Sequence, residues 1–407
     1  MDILQDIKPT KQEQIKLTQE VNSFLKRLNS KLKGAKAITG GSFAKNTWLR
    51  GNYDIDIFVK FNYKYKDKSD EISNLLQKQL KGFRFTKLHG SRDYFQIEYN
   101  KITFEVIPVL EIKNAKQALN VTDVSQLHAL YVKNNTNEKL QDEIRLAKQF
   151  FHVNNLYGAE SYIKGFSGYV LELLIIHYKS LNNFLKAASK WKEKEIIDIK
   201  HYYKDKNDVL FSLNEAKKQS PLILIDPVQK DRNASASLSE EKYDLLKKVA
   251  NSYIKKPSSS YFIEKKFDIE QIKADLKLEI TPLKGKQDII GAKILKSIEY
   301  IKNKLDEEGF IVNNFNWHFD KKSFAWFNIK NLNLPKEVKH YGPFLKDDKN
   351  IINFKKKWKK YKLQKDNKRV FVIIKRKYTK VNDYLKVLIK DKYIKERVKI
   401  IKIIQNV

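Results

Sequence analysis

Gly40-Gly41-Ser42-Phe43-Ala44, followed closely by Asn52-Tyr53-Asp54-Ile55-Asp56-Ile57-Phe58, is the stretch on which the fold turns. A turn of small residues lets backbone N–H groups approach a phosphate. Side chains alternate along a strand, so Asp54 and Asp56 share one face while Ile55 and Ile57 share the other. Two neighbouring carboxylates repel unless a cation holds them. Hard oxygen ligands beside a phosphate-wrapping turn suit Mg²⁺, which takes one or two protein carboxylates together with substrate phosphates. The implied chemistry is phosphoryl or nucleotidyl transfer. Each piece alone is commonplace: G-G-S is ordinary turn punctuation, and D-I-D-I also describes an edge strand with one wet face. Their order and spacing carry the signal.

The flanks support a mixed α/β unit. Val21, Phe24, Leu25, Leu28 and Leu32 recur at helical spacing over 11–33, leading into a short strand over Ala35–Ile38 and then the turn. A helix is expected near Asp70–Leu80, then strands over Tyr94–Tyr99 and Ile102–Ile107. Glu105 has Phe104 and Val106 as opposite-face neighbours, so its side chain turns toward the aspartates if the two strands are adjacent. From Glu138 to Lys255 the pattern is mainly helical, with Ile144, Ala147, Phe150 and Phe151 on one apolar face. Lys256-Pro257-Ser258-Ser259-Ser260 reads as a boundary. A second α/β region follows, with a strand at Leu278–Ile280, a helix over Ile289–Leu305, and strands at Phe310–Val312 and Phe324–Phe327. The final segment alternates a lysine-studded helix (Ile351–Tyr361), a strand (Val370–Ile374) and a helix (Val381–Ile389).

At 407 residues the chain should divide into two to four domains, and 42% hydrophobic residues can fill their cores. Lys and Arg number 81 against 48 Asp and Glu, a net charge of +33, which favours a polyanionic partner. From Ile351 to Val407 the count is 20 against 4, so about half the excess lies in the last seventh of the chain. A Lys-, Asn- and Ile-rich composition throughout can also raise the charge without any ligand. Without cysteine there is no disulfide, zinc ribbon or thiol catalysis. The longest apolar run, Tyr169–Ile176, contains Glu172 and is too short to span a membrane. With no signal-like start, a cytoplasmic protein is expected.

Gly41–Gly51 running into Asp54-Ile55-Asp56, with Thr47-Trp48-Leu49-Arg50-Gly51 between turn and aspartates, resembles the signature of the DNA polymerase β-like nucleotidyltransferases. In form it is similar to the archaeal, class I CCA-adding enzymes. Glu105-Val106-Ile107-Pro108 fits that family's third-carboxylate pattern, with glutamate where aspartate is usual. The resemblance implies Asp54, Asp56 and Glu105 as catalytic and metal-binding residues, with Mg²⁺ as cofactor. It implies nucleotide contacts from Gly41, Ser42 and Lys45 in the turn. In Val121–His128, Ser125 stands in a threonine position and Gln126 replaces proline, and His128 would meet nucleotide phosphate. Arg145–Lys148, Asn155–Glu160 and Gly165–Tyr169 match closely, making Lys148 and Tyr157 triphosphate ligands. Asp226-Pro227-Val228…Arg232-Asn233 assigns Arg232 to selecting the incoming base.

The implied architecture is α+β and multidomain: a polymerase β-like α/β head (1–137), a helical nucleotide-selecting neck (138–257), a mixed α/β body (258–345) and a basic RNA-binding tail (346–407). The implied activity is addition of CCA to tRNA 3′ ends from CTP and ATP. Its rivals are a poly(A) polymerase or oligoadenylate synthase, and an RNA-binding homologue with a decayed catalytic head. The expected partners are tRNA, CTP and ATP, with no membrane. The oligomeric state stays open, a homodimer among the options.

Overall fold

The computed structural model describes residues 3–51, 54–320 and 322–404; Asn52 and Tyr53 of the signature lie outside the described residues. The chain divides into two compact units, 1–265 and 266–407.

In the first unit a short helix, Ile3–Ile7, precedes the helix Lys11–Asn29, which is entered through a reciprocal capping box between Thr10 and Glu13. Its buried stripe of Leu17, Val21, Phe24 and Leu28 lies on a five-stranded sheet, where Phe24 stacks on Phe104 at 4.0 Å between ring centres. The strands are β1 (Ala35–Thr39), β2 (Asp54–Phe61), β3 (Phe85–Leu88), β4 (Tyr94–Tyr99) and β5 (Ile102–Leu110), in the order β1-β2-β5-β4-β3. Asn100 and Lys101, both at positive φ, form the two-residue turn that folds β4 back onto β5. β5 then slots between β4 and β2, pairing parallel with β2. Ile55, Ile57, Phe104 and Val106 are buried in the core, leaving Asp54, Asp56 and Glu105 on the opposite face.

Past β5 the chain is fastened by a buried ion pair. Asp123 accepts from Arg92 and from the Leu110, Leu119 and Asn120 amides, and Arg92 also reaches Ser69 and the Pro108 carbonyl. This clamp sets the start of the helix Ser125–Asn134 at the sheet's end. Gln126, in the first turn of that helix, donates to the Leu110 carbonyl at 2.6 Å.

The helices Glu138–Val153, Gly168–Tyr178, Leu181–Ala188 and Glu240–Lys255 share a second core around Phe150, Phe151, Leu174 and Tyr243. Within this expected helical stretch lies a small sheet: β6 (Glu195–Asp198), β7 (Leu222–Asp226) and β8 (Gln229–Asn233), in that order. Every β7 residue is buried, which accounts for the continuous apolar run Leu222–Ile225 that periodicity alone does not assign.

The second unit contains β9 (Leu276–Thr281), the helix Gln287–Glu308, β10 (Val312–His318) and β11 (Ser323–Ile329). It continues through β12 (Glu337–Phe344), β13 (Gln364–Lys365), β14 (Arg369–Lys375) and β15 (Ile400–Ile404). The sheets run β10-β11-β9-β15 and β12-β14-β13. A separate tail from residue 346 is therefore corrected. β14 pairs with β12, and β15 pairs with β9 along a register from Ile400–Thr281 to Ile404–Lys277. Val370, Phe371, Val372 and Ile401 of the last segment are buried in the body's sheets while Lys375 and Lys402 are exposed. The expected strand at Phe310–Val312 starts at Val312, and β12 went unread because its residues are mostly exposed.

The helix Asp348–Lys357 ends in exposed Lys355, Lys356 and Lys357. Since truncation would tear out paired strands, charge removal is the sound test of this surface. Replacing these three lysines with Gln should flatten the salt dependence of RNA binding by about 0.7 for each phosphate no longer neutralised, on a plot of log affinity against log salt. An unchanged slope would mean that their charge reflects composition alone.

Candidate active site

The register of β2 and β5 pairs Asp56 with Glu105 and Asp54 with Thr103, so three carboxylates share one face across two adjacent strands. β4 adds Gln96 beside Glu105. Asp56 is only half-covered at its surface yet sits deep among protein atoms, and burial pushes its carboxyl up to about 6, with Lys45 and Lys148 opposing and Asp54 adding to the rise. Burial also pushes the Tyr94 phenol up to about 12, and the charges of Glu105 and Asp56 add to it. The field of the carboxylates therefore reaches that hydroxyl.

The glycine turn is pinned to the same strand. The Gly40 amide donates to the Asp56 carbonyl at 2.7 Å, and the short helix Gly41–Ala44, including Ser42, follows directly. Gly41 has φ +53°, and a Cβ there would fall 1.6 Å from Asp56 Oδ2. Only glycine permits this approach of backbone to carboxylate.

Behind the turn lies a buried charge cluster centred on Glu172, wholly buried in the apolar helix Gly168–Tyr178. Glu172 accepts from Lys45 at 2.6 Å, Thr47 at 3.0 Å and Lys148 at 3.2 Å. Lys148 also donates to the Thr47 hydroxyl and carbonyl, so its three donors are met within the protein. Buried Arg145 holds the same loop through the Asn46 and Trp48 carbonyls and pairs with Asp142. Burial alone would push the Glu172 carboxyl up, but the charges and hydrogen bonds of Lys45 and Lys148 hold it below the usual range. Burial draws Lys148 down to about 8 against the pull of Glu172. Tyr157 stacks on His152 at 3.9 Å, and the charges of Glu172 and Asp56 reinforce the burial that keeps its phenol protonated.

A second cluster forms around Asp226, the last residue of β7. His128 Nε2 lies 2.9 Å from its carboxylate, the Tyr169 hydroxyl donates at 3.0 Å, and Arg232 on β8 donates through Nη1. His128 and Tyr169 stack at 4.2 Å. Burial would raise the Asp226 pKa, but the bond and charge of His128, the Val228 amide and Arg232 hold it low. Ser125 opens the helix that carries His128 and is half-buried.

The expected residues thus fall into three groups: Asp54, Asp56 and Glu105 with the turn; Lys45 and Lys148 on Glu172, with Tyr157 nearby; and His128 with Arg232 on Asp226. Sequence reading missed the roles of Glu172, Thr47 and Asp226. A lone carboxylate inside an apolar helical run was the available signal for Glu172, since a buried charge needs partners.

Among the described residues, no three or more His, Cys, Asp or Glu side chains are gathered as a ready-made metal cluster. The paired carboxylates beside a glycine cradle nevertheless fit a hard cation that arrives with phosphate oxygens. No helix of the described residues is long and apolar enough to cross a membrane.

Family models match along the chain: a second messenger oligonucleotide or dinucleotide synthetase domain over 1–142, the second domain of tRNA nucleotidyltransferase over 142–263, and the C-terminal domain of CCA-adding enzyme over 281–399. The CCA-adding enzyme of Nanoarchaeum equitans is 38% identical over 343 residues, 84% of each chain. That of Sulfurisphaera tokodaii is 33% identical, covering 82% of this chain and 76% of its own. A cytoplasmic RNA terminal U-transferase shares the fold at 14% identity and TM-score 0.50, over 65% of this chain and 97% of its own. With relatives this similar along most of their length, and with models of the same enzymes matching over 142–263 and 281–399, the chain belongs to the CCA-adding enzyme family.

Proposed function

We propose that this chain adds C, C and A to the 3′ end of tRNA, consuming CTP and ATP and releasing pyrophosphate. The observation that carries the reading is the side-by-side placement of Asp56 and Glu105, with Asp54 on the same face, against a turn that only glycine can form. The tRNA 3′-oxygen attacks the α-phosphorus of the nucleotide, its proton passes to solvent water, and the bond to the pyrophosphate oxygen breaks so that pyrophosphate leaves with the electron pair. Mg²⁺ held by Asp54, Asp56 and Glu105 would neutralise phosphate charge and favour the ionised 3′-hydroxyl. The Gly41–Ser42 turn brings backbone close to the phosphates. Lys45 and Lys148 supply positive charge behind it, and the Tyr157 hydroxyl stays protonated as a donor. Lys148 contacts the triphosphate by exchanging one of its internal partners. His128 and, with Ser125, the start of its helix serve the phosphates from the other side, and Arg232 reads the base edge with its guanidinium fork. The basic second unit holds tRNA by its phosphates and A-form shape.

Product analysis tests the reading directly. With tRNA lacking its end, CTP and ATP, extension should stop after C, C and A, whereas long A tails on unrelated RNA would place the chain with poly(A) polymerases.

Asp54→Asn or Asp56→Asn should abolish transfer while tRNA affinity stays near that of the parent, because catalysis loses charge that binding does not use. Glu105→Gln should cost orders of magnitude in turnover and Glu105→Asp much less. A Glu105→Gln enzyme as active as the parent would make Glu105 a solvated strand residue and turn the search to Glu111.

Lys148 is charged below about pH 8 and neutral above it. For CTP, kcat/KM should therefore fall as pH rises through about 8, since this ratio reports ionisations of the free enzyme. Lys148→Met should lower the plateau and remove that limb. A limb that survives the substitution belongs to another group.

A further inference from the structure

Asp226 is given no contact of its own with nucleotide or metal, yet it is wholly buried and its carboxylate accepts from four donors on three segments. Oδ2 meets His128 Nε2 and Arg232 Nη1, and Oδ1 meets the Tyr169 hydroxyl and the Val228 amide. The register of β7 and β8 shifts between Ile225 and Asp226. That irregularity sets the carboxylate beneath Arg232 on the opposing strand.

The consequence for Arg232 is orientational. A guanidinium has five N–H donors in a rigid plane. When one end is anchored on a buried carboxylate, the plane has little freedom left, and the remaining edge is presented in one attitude. The Arg232 side chain is 31% exposed, so part of it remains available to a ligand. His128 is constrained in the same way. An Nε2 facing a carboxylate carries the proton, and stacking on Tyr169 fixes the ring plane.

We propose that Asp226 is a positioning residue for nucleotide choice: it locks the Arg232 guanidinium and the His128 ring in one arrangement, so that the base edge and the phosphates are read in a single register. This rests on the reading of Arg232 as the base-selecting group. Without the carboxylate, Arg232 swings among rotamers and accepts base edges that the anchored fork rejects.

The test is single-nucleotide addition to tRNA lacking its CCA end, with kcat/KM measured for CTP and for UTP in the parent, Asp226→Asn, Arg232→Ala and the double variant. Asp226→Asn should reduce the CTP/UTP ratio by at least about tenfold, the worth of one charge-assisted hydrogen bond. The double variant should be no less selective than Arg232→Ala, because both changes remove the same device. If Asp226→Asn lowers both nucleotides by one factor and leaves the ratio intact while Arg232→Ala relaxes it, Asp226 is merely structural and the proposal fails alone. If Arg232→Ala itself leaves the ratio intact, the reading of Arg232 fails and takes the proposal with it. Should Asp226→Asn not fold, Tyr169→Phe carries the test, since it deletes only one hydroxyl from the clamp. A smaller drop in the ratio supports the proposal, and an unchanged ratio overturns it.

Discussion

Parallel pairing of β2 with β5 is the constraint from which the rest of the carboxylate face follows. A slip of one residue in β5 would turn Glu105 into the core, and a slip of β2 would turn Asp54 and Asp56 there instead, because side chains alternate with a period of two. The register is held by burial: Ile55, Ile57, Phe104 and Val106 occupy the core face, where polar side chains would be costly. The same hydrophobic pattern that stabilises the sheet therefore sets three carboxylates together on its other side. The Gly41 turn then closes over Asp56 at a distance no side chain tolerates.

Electrostatics explains why the helix Gly168–Tyr178 must accompany this sheet. Glu172 with Lys45 and Lys148 forms a buried group of three charges, and deleting one member of a buried pair typically costs about 3–5 kcal/mol. Such a cluster is a demanding way to join the signature loop to a helix. Its value lies in placing two ammonium groups where they act on Asp56, whose carboxyl they pull down against burial. Arg145 and the Arg92–Asp123 pair fasten the loop and the end of β5 in the same manner. The positive charge gathered here suits a triphosphate, and the negative face of β2 and β5 suits the cation that travels with it.

Local pattern and spacing made much of this legible. The alternation at Asp54–Ile57, the helical stripe from Val21 to Leu28 and the Glu105 strand each obey a period of 2.0 or 3.6, and each is found where that period puts it. What escaped was long-range pairing. Glu172 meets Thr47 from 125 positions away and Asp226 meets His128 from 98. Similarly, Ile400–Ile404 completes a sheet begun at Leu276, so a segment read as a tail belongs to the body. No single-element period encodes such partners. A buried charge in an apolar run says that a partner exists without saying which residue it is.

The central claim is that Asp54, Asp56 and Glu105 together hold divalent metal in the company of nucleotide. Mn²⁺ serves as a visible stand-in, titrated into the protein in the presence of CTP and followed by electron paramagnetic resonance. The account predicts that Glu105→Gln weakens Mn²⁺ binding by more than about tenfold, a loss that even partners one layer out from a metal can produce. Mn²⁺ binding of the same stoichiometry and affinity in Glu105→Gln as in the parent would contradict it.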